Sequence, residues 1–270
     1  MKAFFKKWRA LLKGNLRITM NELLVYRFHT VFYMIFETVF FVSNFYTVHI
    51  GFDFAGGTIN GWSKQEGFLV SSIFNFTHQI FLTFFASSVF DIGEKSGDGT
   101  FDFVLLKPHK PLVSIWVSTV WIAQNIPCLF LSFGVMVYLM CTSYHPDVHW
   151  LAWFVCLAFI MLGVLVRLSL ALLCVAPVFF SERLHAVDTY WNLAGVGVFP
   201  QAVMPKALQY LFTFGLPIFL VSSVPAEAFF GMRSWSYLLV CFLVGVAFCV
   251  FGFRVFDWAL KHYKSVNAGI

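Results

Sequence analysis

Long unbroken runs of apolar residues dominate the chain, and short polar stretches separate them. Runs at about 28–50, 68–90, 112–141, 150–179 and 235–256 each supply the roughly 20 residues that a helix needs to cross a bilayer. None alternates in the ten-residue manner of barrel strands, so the spans read as helices. Beyond residue 190 the apolar pattern is broken by Gly195, Gly197, Pro200, Pro205, Gly215, Pro217, Pro225 and Gly231. Proline removes a helical hydrogen bond, and this density of it predicts one short span followed by broken helices that enter the membrane and return. The predicted fold is an all-α integral membrane protein with six transmembrane helices and re-entrant helices over 204–231, before the last span.

Composition excludes an ordinary soluble protein: 60 % of the 270 residues are apolar and only 11 % are charged. Residues 1–27 carry Lys2, Lys6, Lys7, Arg9, Lys13, Arg17 and Arg27 among Phe4, Phe5, Trp8, Leu11, Leu12 and Leu16. The apolar set follows helical spacing, so this segment reads as a basic amphipathic helix lying in the headgroup region. It lacks the short apolar core and cleavage site of a signal peptide and is expected to be retained. A single transmembrane domain over 28–258 follows, then a tail at 259–270. The six cysteines sit in or beside apolar runs, away from His at metal spacing, and read as packing residues. No metal site is expected.

Positive charge orients the spans. With six spans and an inside N-terminus, fourteen Lys and Arg residues fall in cytoplasmic segments. Only Lys64, Lys206 and Arg233 fall outside, and Arg167 lies within a span. Both termini are therefore expected on the cytoplasmic side. The segment 91–111, between the second and third spans, is the one interior stretch dense in charge, glycine and proline. It also keeps Phe101, Phe103, Val104, Leu105 and Leu106 as an apolar ridge, which a merely solvated loop has little reason to hold. It reads as a handle on which a cytosolic partner pushes.

Charges inside the hydrocarbon zone are costly and ask for a reason. Counted at the helical rise, Glu37 lies roughly 13 Å, Arg167 roughly 16 Å and His78 about 18 Å from the inner ends of their spans. At matching depths, Glu37 and Arg167 are expected either to pair as a structural tie between two helices or, with His78, to form a polar patch on a translocation path. The many aromatic rings would suit a flat cation there. Trp62, Trp150, Trp153, Trp191 and Trp235 fall near predicted interfaces and read as an aromatic belt. The chain contains no Gly-x-x-x-x-Gly-Lys-Ser/Thr phosphate loop, so ATP is not expected to bind by that route.

The Gly195-Val-Gly-Val-Phe-Pro200 stretch, then Met204-Pro205, Leu216-Pro217, Pro225 and Gly231, resembles the region after the fifth span of ABC-2 type permeases, membrane subunits of ATP-binding-cassette exporters. Gly93, Gly99, Asp102 and Leu105-Leu-Lys-Pro108 resemble the corresponding loop of a bacterial branch associated with efflux of viologen-type organic cations. The resemblance covers essentially the whole chain. It implies a six-span permease that pairs with a second permease, alike or homologous, in the lipid membrane. Two cytosolic ATPase subunits on other polypeptides would bind ATP and Mg, and this chain would bind no cofactor and catalyse no reaction.

In that family the first helix and the loop after the second span contact the ATPase. The implied contacts are Trp8, Arg9, Glu94, Asp98, Asp102, Phe103, Leu105, Leu106, Lys107 and Pro108. Pro200, Pro205, Pro217 and Pro225 mark the re-entrant region. The function so implied is export of a small amphipathic or cationic compound. Export of lipid or polysaccharide stands as an alternative, as do a membrane anchor driven by the ATPase cycle and an intramembrane enzyme on lipid-linked substrates, using His78 as acid or base and Arg167 on a phosphate.

Overall fold

The computed structural model of the protein describes residues 21, 25, 27–97, 99–106, 122–143, 150–180 and 186–263. The expected N-terminal helix with Trp8 and Arg9 lies outside them, as do Asp98, Lys107 and Pro108 and most of the tail at 259–270.

Helix α1 (Arg27–Phe54) runs past its predicted end and stops where Gly56 and Gly57 take φ of 79° and 92°. A small hairpin follows, β1 (Thr58–Ile59) antiparallel to β2 (Trp62–Ser63). Its Asn60-Gly61 turn has φ of 49° and 87°, the left-handed pair that this dipeptide adopts at low cost. Ser63 then caps α2 (Lys64–Phe81): its hydroxyl accepts from the Glu66 amide while the Glu66 carboxylate accepts from the Ser63 amide. This reciprocal cap starts the helix four residues before the apolar run. A π turn at Leu82–Ala86 carries α2 into α3 (Ser87–Gly97) without breaking the rod.

After α4 (Phe101–Leu105) come α5 (Ile122–Thr142) and α6 (Trp150–Val175), which tightens into a 3-10 turn at Ala176–Phe179. Helix α7 (Ala186–Ala194) continues as a 3-10 turn at Gly195–Val198. Pro205 precedes α8 (Lys206–Tyr210), which widens into a π turn at Leu211–Gly215. The chain reverses at Leu216-Pro217, so that Phe212 meets Phe219 at 6.0 Å. It then runs through a 3-10 turn (Ile218–Val221) into α9 (Ser223–Phe229). Pro225 sits in the first turn of α9, where a missing amide costs least. Ser234 caps the last helix, α10 (Trp235–Lys261).

Among the described residues five stretches are long and apolar enough to cross a membrane: Arg27–Phe54, Lys64–Ser96, Asn125–Thr142, Trp150–Phe179 and Trp235–Lys261. The remaining predicted span falls on α7, whose nine residues rise only about 14 Å. Residues 181–185, just before it, lie outside the described ones. The all-α membrane architecture stands, with five long helices among the described residues and the predicted short span in the broken region.

The rod of α2 and α3 and helix α6 are the buried centre, whereas α1 is mostly exposed. The outward faces of α1, α5 and α10 are apolar because hydrocarbon, unlike water, tolerates them. Close approach needs small residues. A Cβ on Gly252 of α10 would stand 2.8 Å from the Ser169 Cβ of α6, and one on Gly163 would stand 3.0 Å from the Val221 backbone. These two glycines let α10 and the reversed segment lie directly on α6. Two apolar clusters result. One runs from the end of α2 through α3 and α4 and along α6, α7 and α10, and the other joins the end of α1, the hairpin and the start of α2 to α5 and α9.

Candidate functional site

Helices α1 and α2 run antiparallel, and two buried polar bridges join them. Gln79 donates from Nε2 to the Glu37 carboxylate at 2.8 Å, and Asn44 donates from Nδ2 to Asn75 Oδ1 at 2.9 Å. Glu37 and Asn44 are seven apart and Asn75 and Gln79 four apart, so each pair lies on one face of its helix. Tyr33, one turn before Glu37, lines a cavity together with it. Glu37 is thus held by Gln79 at 7 % exposure.

Between this pair and α7 lies a cavity of about 560 Å³. Glu37, Asn44 and His78 are polar groups on its wall, and Phe36, Phe40, Phe74 and Trp191 are aromatic ones. The Phe36 side, 61 % exposed, opens outward from α1. The His78 ring is packed by Phe40 at 5.3 Å, Phe74 at 6.1 Å and Trp191 at 5.4 Å. Leu82, the first residue of the π turn, also lines the cavity, so the irregular turn borders the site. One carboxylate among ring faces in a low-dielectric surrounding is an arrangement that attracts a cation.

The expected Glu37–Arg167 ion pair does not form. Arg167 is 1 % exposed; it donates from Nη2 to the Phe74 carbonyl at 3.3 Å, and its Cζ lies 4.4 Å from the centre of the Phe74 ring. Tyr190 of α7 stands beside the guanidinium without closing a hydrogen bond to it. Equal depth does not bring the two charges together. The Phe74 ring, which lines the cavity with Glu37, takes the guanidinium, and Arg167 itself is not among the lining residues. Glu37 and His78 therefore share the cavity, and Arg167 is packed outside its wall.

Trp191 also departs from expectation. Rather than joining an interfacial belt, it packs on His78, Phe90 and Tyr190 and lines the cavity. Trp150 and Trp235, at 66 % and 59 % exposed, keep the outward position expected of a belt.

In the segment after the second span the apolar ridge divides. Gly99, at φ of 69°, turns the chain into α4. Phe101 is fully buried against Phe179 at 5.5 Å and Tyr263 at 5.2 Å, and Val104 is buried with it. Phe103 and Leu106, at 70 % and 80 % exposed, point outward with Leu105. Three residues apart share a helix face, so Phe101 and Val104 anchor the segment while Phe103 and Leu106 are presented. Asp102 is half-buried beside Tyr263, whose phenol is pushed up first by burial and then by that carboxylate. Glu94 is exposed, and the Lys95–Asp91 pair closes across one turn at 2.7 Å.

The broken region holds a polar network that sequence reading missed. Glu227 of α9 is 2 % exposed and accepts from Gln201 Nε2 and from Arg233 Nε and Nη2, the latter two at 3.1 Å each. Gln201 Oε1 accepts from the Thr213 hydroxyl at 3.2 Å, and Ser223 Oγ accepts from the Gln201 amide at 3.1 Å. The bidentate contact holds the Arg233 guanidinium even more firmly protonated than usual. Glu227 could have been found: it is the one acidic residue between Asp188 and Asp257. Pro200 and Pro205 flank the strand-like breaks on either side of Gln201–Val203.

The family model for the ABC-2 family transporter protein matches residues 20–267. The chain belongs to this family. It is a permease subunit of an ABC transporter, a multi-pass membrane protein that associates with an ABC ATPase partner. No curated protein and no solved structure matches it. Membership places the Glu37 cavity in a transport subunit.

Proposed function

We propose that this ABC-2 permease lines the export path for a small amphipathic cation, and that the cavity between α1, α2 and α7 is a station on that path. The observation that carries this reading is the Glu37 carboxylate on the wall of an aromatic cavity of about 560 Å³. A carboxylate at that depth supplies charge, and the rings supply flat polarizable faces. Arg167 lies outside the wall, which removes the phosphate-binding partner that an enzyme acting on lipid-linked substrates would need there.

Energy comes from ATP and Mg on the partner ATPase, and this chain binds no cofactor. The ATPase contact uses the outward face of α4, with Phe103, Leu105 and Leu106, together with Glu94, Asp98, Asp102, Lys107, Pro108 and the N-terminal Trp8 and Arg9. ATP binding favours one of two permease conformations, because only differential affinity moves such an equilibrium. A second permease copy or homologue completes the path in a bacterial inner membrane, with both termini cytoplasmic.

The test is ATP-driven ethidium uptake by inside-out vesicles holding the permease with its ATPase. Glu37→Gln keeps an acceptor for Gln79 and removes only the charge, so uptake is expected to fall about tenfold, the value of one charged contact. Uptake equal to wild type would overturn the reading.

A further inference from the structure

Arg167 places a positive charge directly behind the cavity wall. Its Cζ lies 4.4 Å from the centre of the Phe74 ring, and Phe74 lines the cavity. Nη2 also donates to the Phe74 carbonyl, so one residue of α2 fixes where the charge stands. A guanidinium keeps its proton in a protein interior. Among the described residues no carboxylate forms an ion pair with it. A carbonyl dipole and a ring face receive the charge, and neither cancels it. On the cavity side, Glu37 is the one acidic group among the described lining residues, and Tyr33, Asn44 and His78 bring no negative charge. The wall thus holds one negative charge on its surface and one positive charge a single residue behind it.

Coulomb forces need no contact, and in a low-dielectric wall they stay strong across the thickness of a ring. Building on the cation-path reading above, we propose that the cavity takes monovalent aromatic cations and discriminates against divalent cations of the same shape, with Arg167 as the residue that sets this limit. Glu37 neutralises one positive centre. A second centre on a rigid body that turns toward Phe74 meets the field of Arg167. One that turns toward Phe36, 61 % exposed, finds the apolar outer face of α1, which offers no counter-charge. The Phe74 ring already serves Arg167, so Phe40 and Trp191 are the lining rings better placed to receive a bound cation.

The experiment compares N-methyl-4-phenylpyridinium with methyl viologen, rigid two-ring cations of closely similar shape that carry one charge and two. Equilibrium binding of each, tritium-labelled, to the full chain is measured in nanodiscs of zwitterionic lipid, with protein-free nanodiscs subtracted. The wild-type chain is expected to bind the monocation about tenfold more tightly. Arg167→Met should tighten methyl viologen about tenfold and affect the monocation less, bringing the ratio toward one. Arg167→Gln, a second neutral variant, carries the same expectation, and Arg167→Lys, which retains the charge, should retain the ratio. Monocation binding reports that each variant is folded. Glu37→Gln should weaken both cations. Equal wild-type affinities, or a ratio that both neutral variants leave unchanged, with Glu37→Gln still weakening both cations, would overturn the charge limit and leave the cation path standing. Binding of neither cation that responds to Glu37→Gln would overturn the path itself.

Discussion

Gln79 donates to Glu37 across the interface of α1 and α2 at 2.8 Å, and this one contact sets the face that Glu37 presents to the cavity. It is worth more than a surface hydrogen bond because both groups are buried, so neither has water as an alternative partner. Replacing Gln79 by Leu should lower stability by about 1–3 kcal/mol, the cost of a buried acceptor deprived of a donor. In Glu37→Leu/Gln79→Leu, where both polar groups are gone, much of that loss should return. Thermal unfolding of the purified chain in detergent checks both.

Arg167 makes its contacts with Phe74, and Glu37 takes no part in them. Exchanging the two charges, Glu37→Arg with Arg167→Glu, should therefore give no rescue over either single reversal. Arg167→Met, of similar volume and without charge, should keep stability within about 1 kcal/mol of wild type or raise it, since no buried carboxylate depends on the guanidinium. A double-mutant cycle on melting temperature would expose any coupling between positions 37 and 167.

Glu227 joins three segments of the broken region, so its removal leaves Gln201 and Arg233 without their acceptor. Arg233→Ala should cost about 3 kcal/mol, because it leaves the 2 % exposed Glu227 carboxylate without its counter-charge. Glu227→Ala should cost less, about 1–2 kcal/mol, because the Arg233 side chain it leaves behind is 40 % exposed and can hydrate, and the lost acceptor is mainly that of Gln201. The expected order in a melting assay places Arg233→Ala lowest, then Glu227→Ala, then wild type.

The two faces of α4 should separate cleanly in mutation. Phe101→Ala removes a fully buried ring and should destabilise by about 3–5 kcal/mol. Phe103→Ser and Leu106→Ser alter exposed positions and should leave stability within about 0.5 kcal/mol. If α4 is the handle, those two variants nonetheless lose co-purifying ATPase or ATP-driven transport. Retention of both in the double variant would count against α4 as the contact.

The long apolar helices and the spacing of residues along them were determined by the sequence alone. Helical rise is constant, so counting residues from the end of a run places Glu37, His78 and Arg167 at comparable heights without any structure. Proline and glycine acted locally too, and the breaks at Pro205, Pro217 and Gly231 fall where the chain itself turns. Rotation about each helix axis was not legible in the same way. It depends on which side chains of other helices fill the facing grooves, and apolar spans offer no polar face to orient them. Tertiary packing therefore decided that Arg167 turns to Phe74 instead of Glu37, that Trp191 turns inward to His78, and that Phe101 parts from Phe103. It also decided the Glu227 network, whose members come from four short segments brought together only when the chain doubles back at Leu216-Pro217.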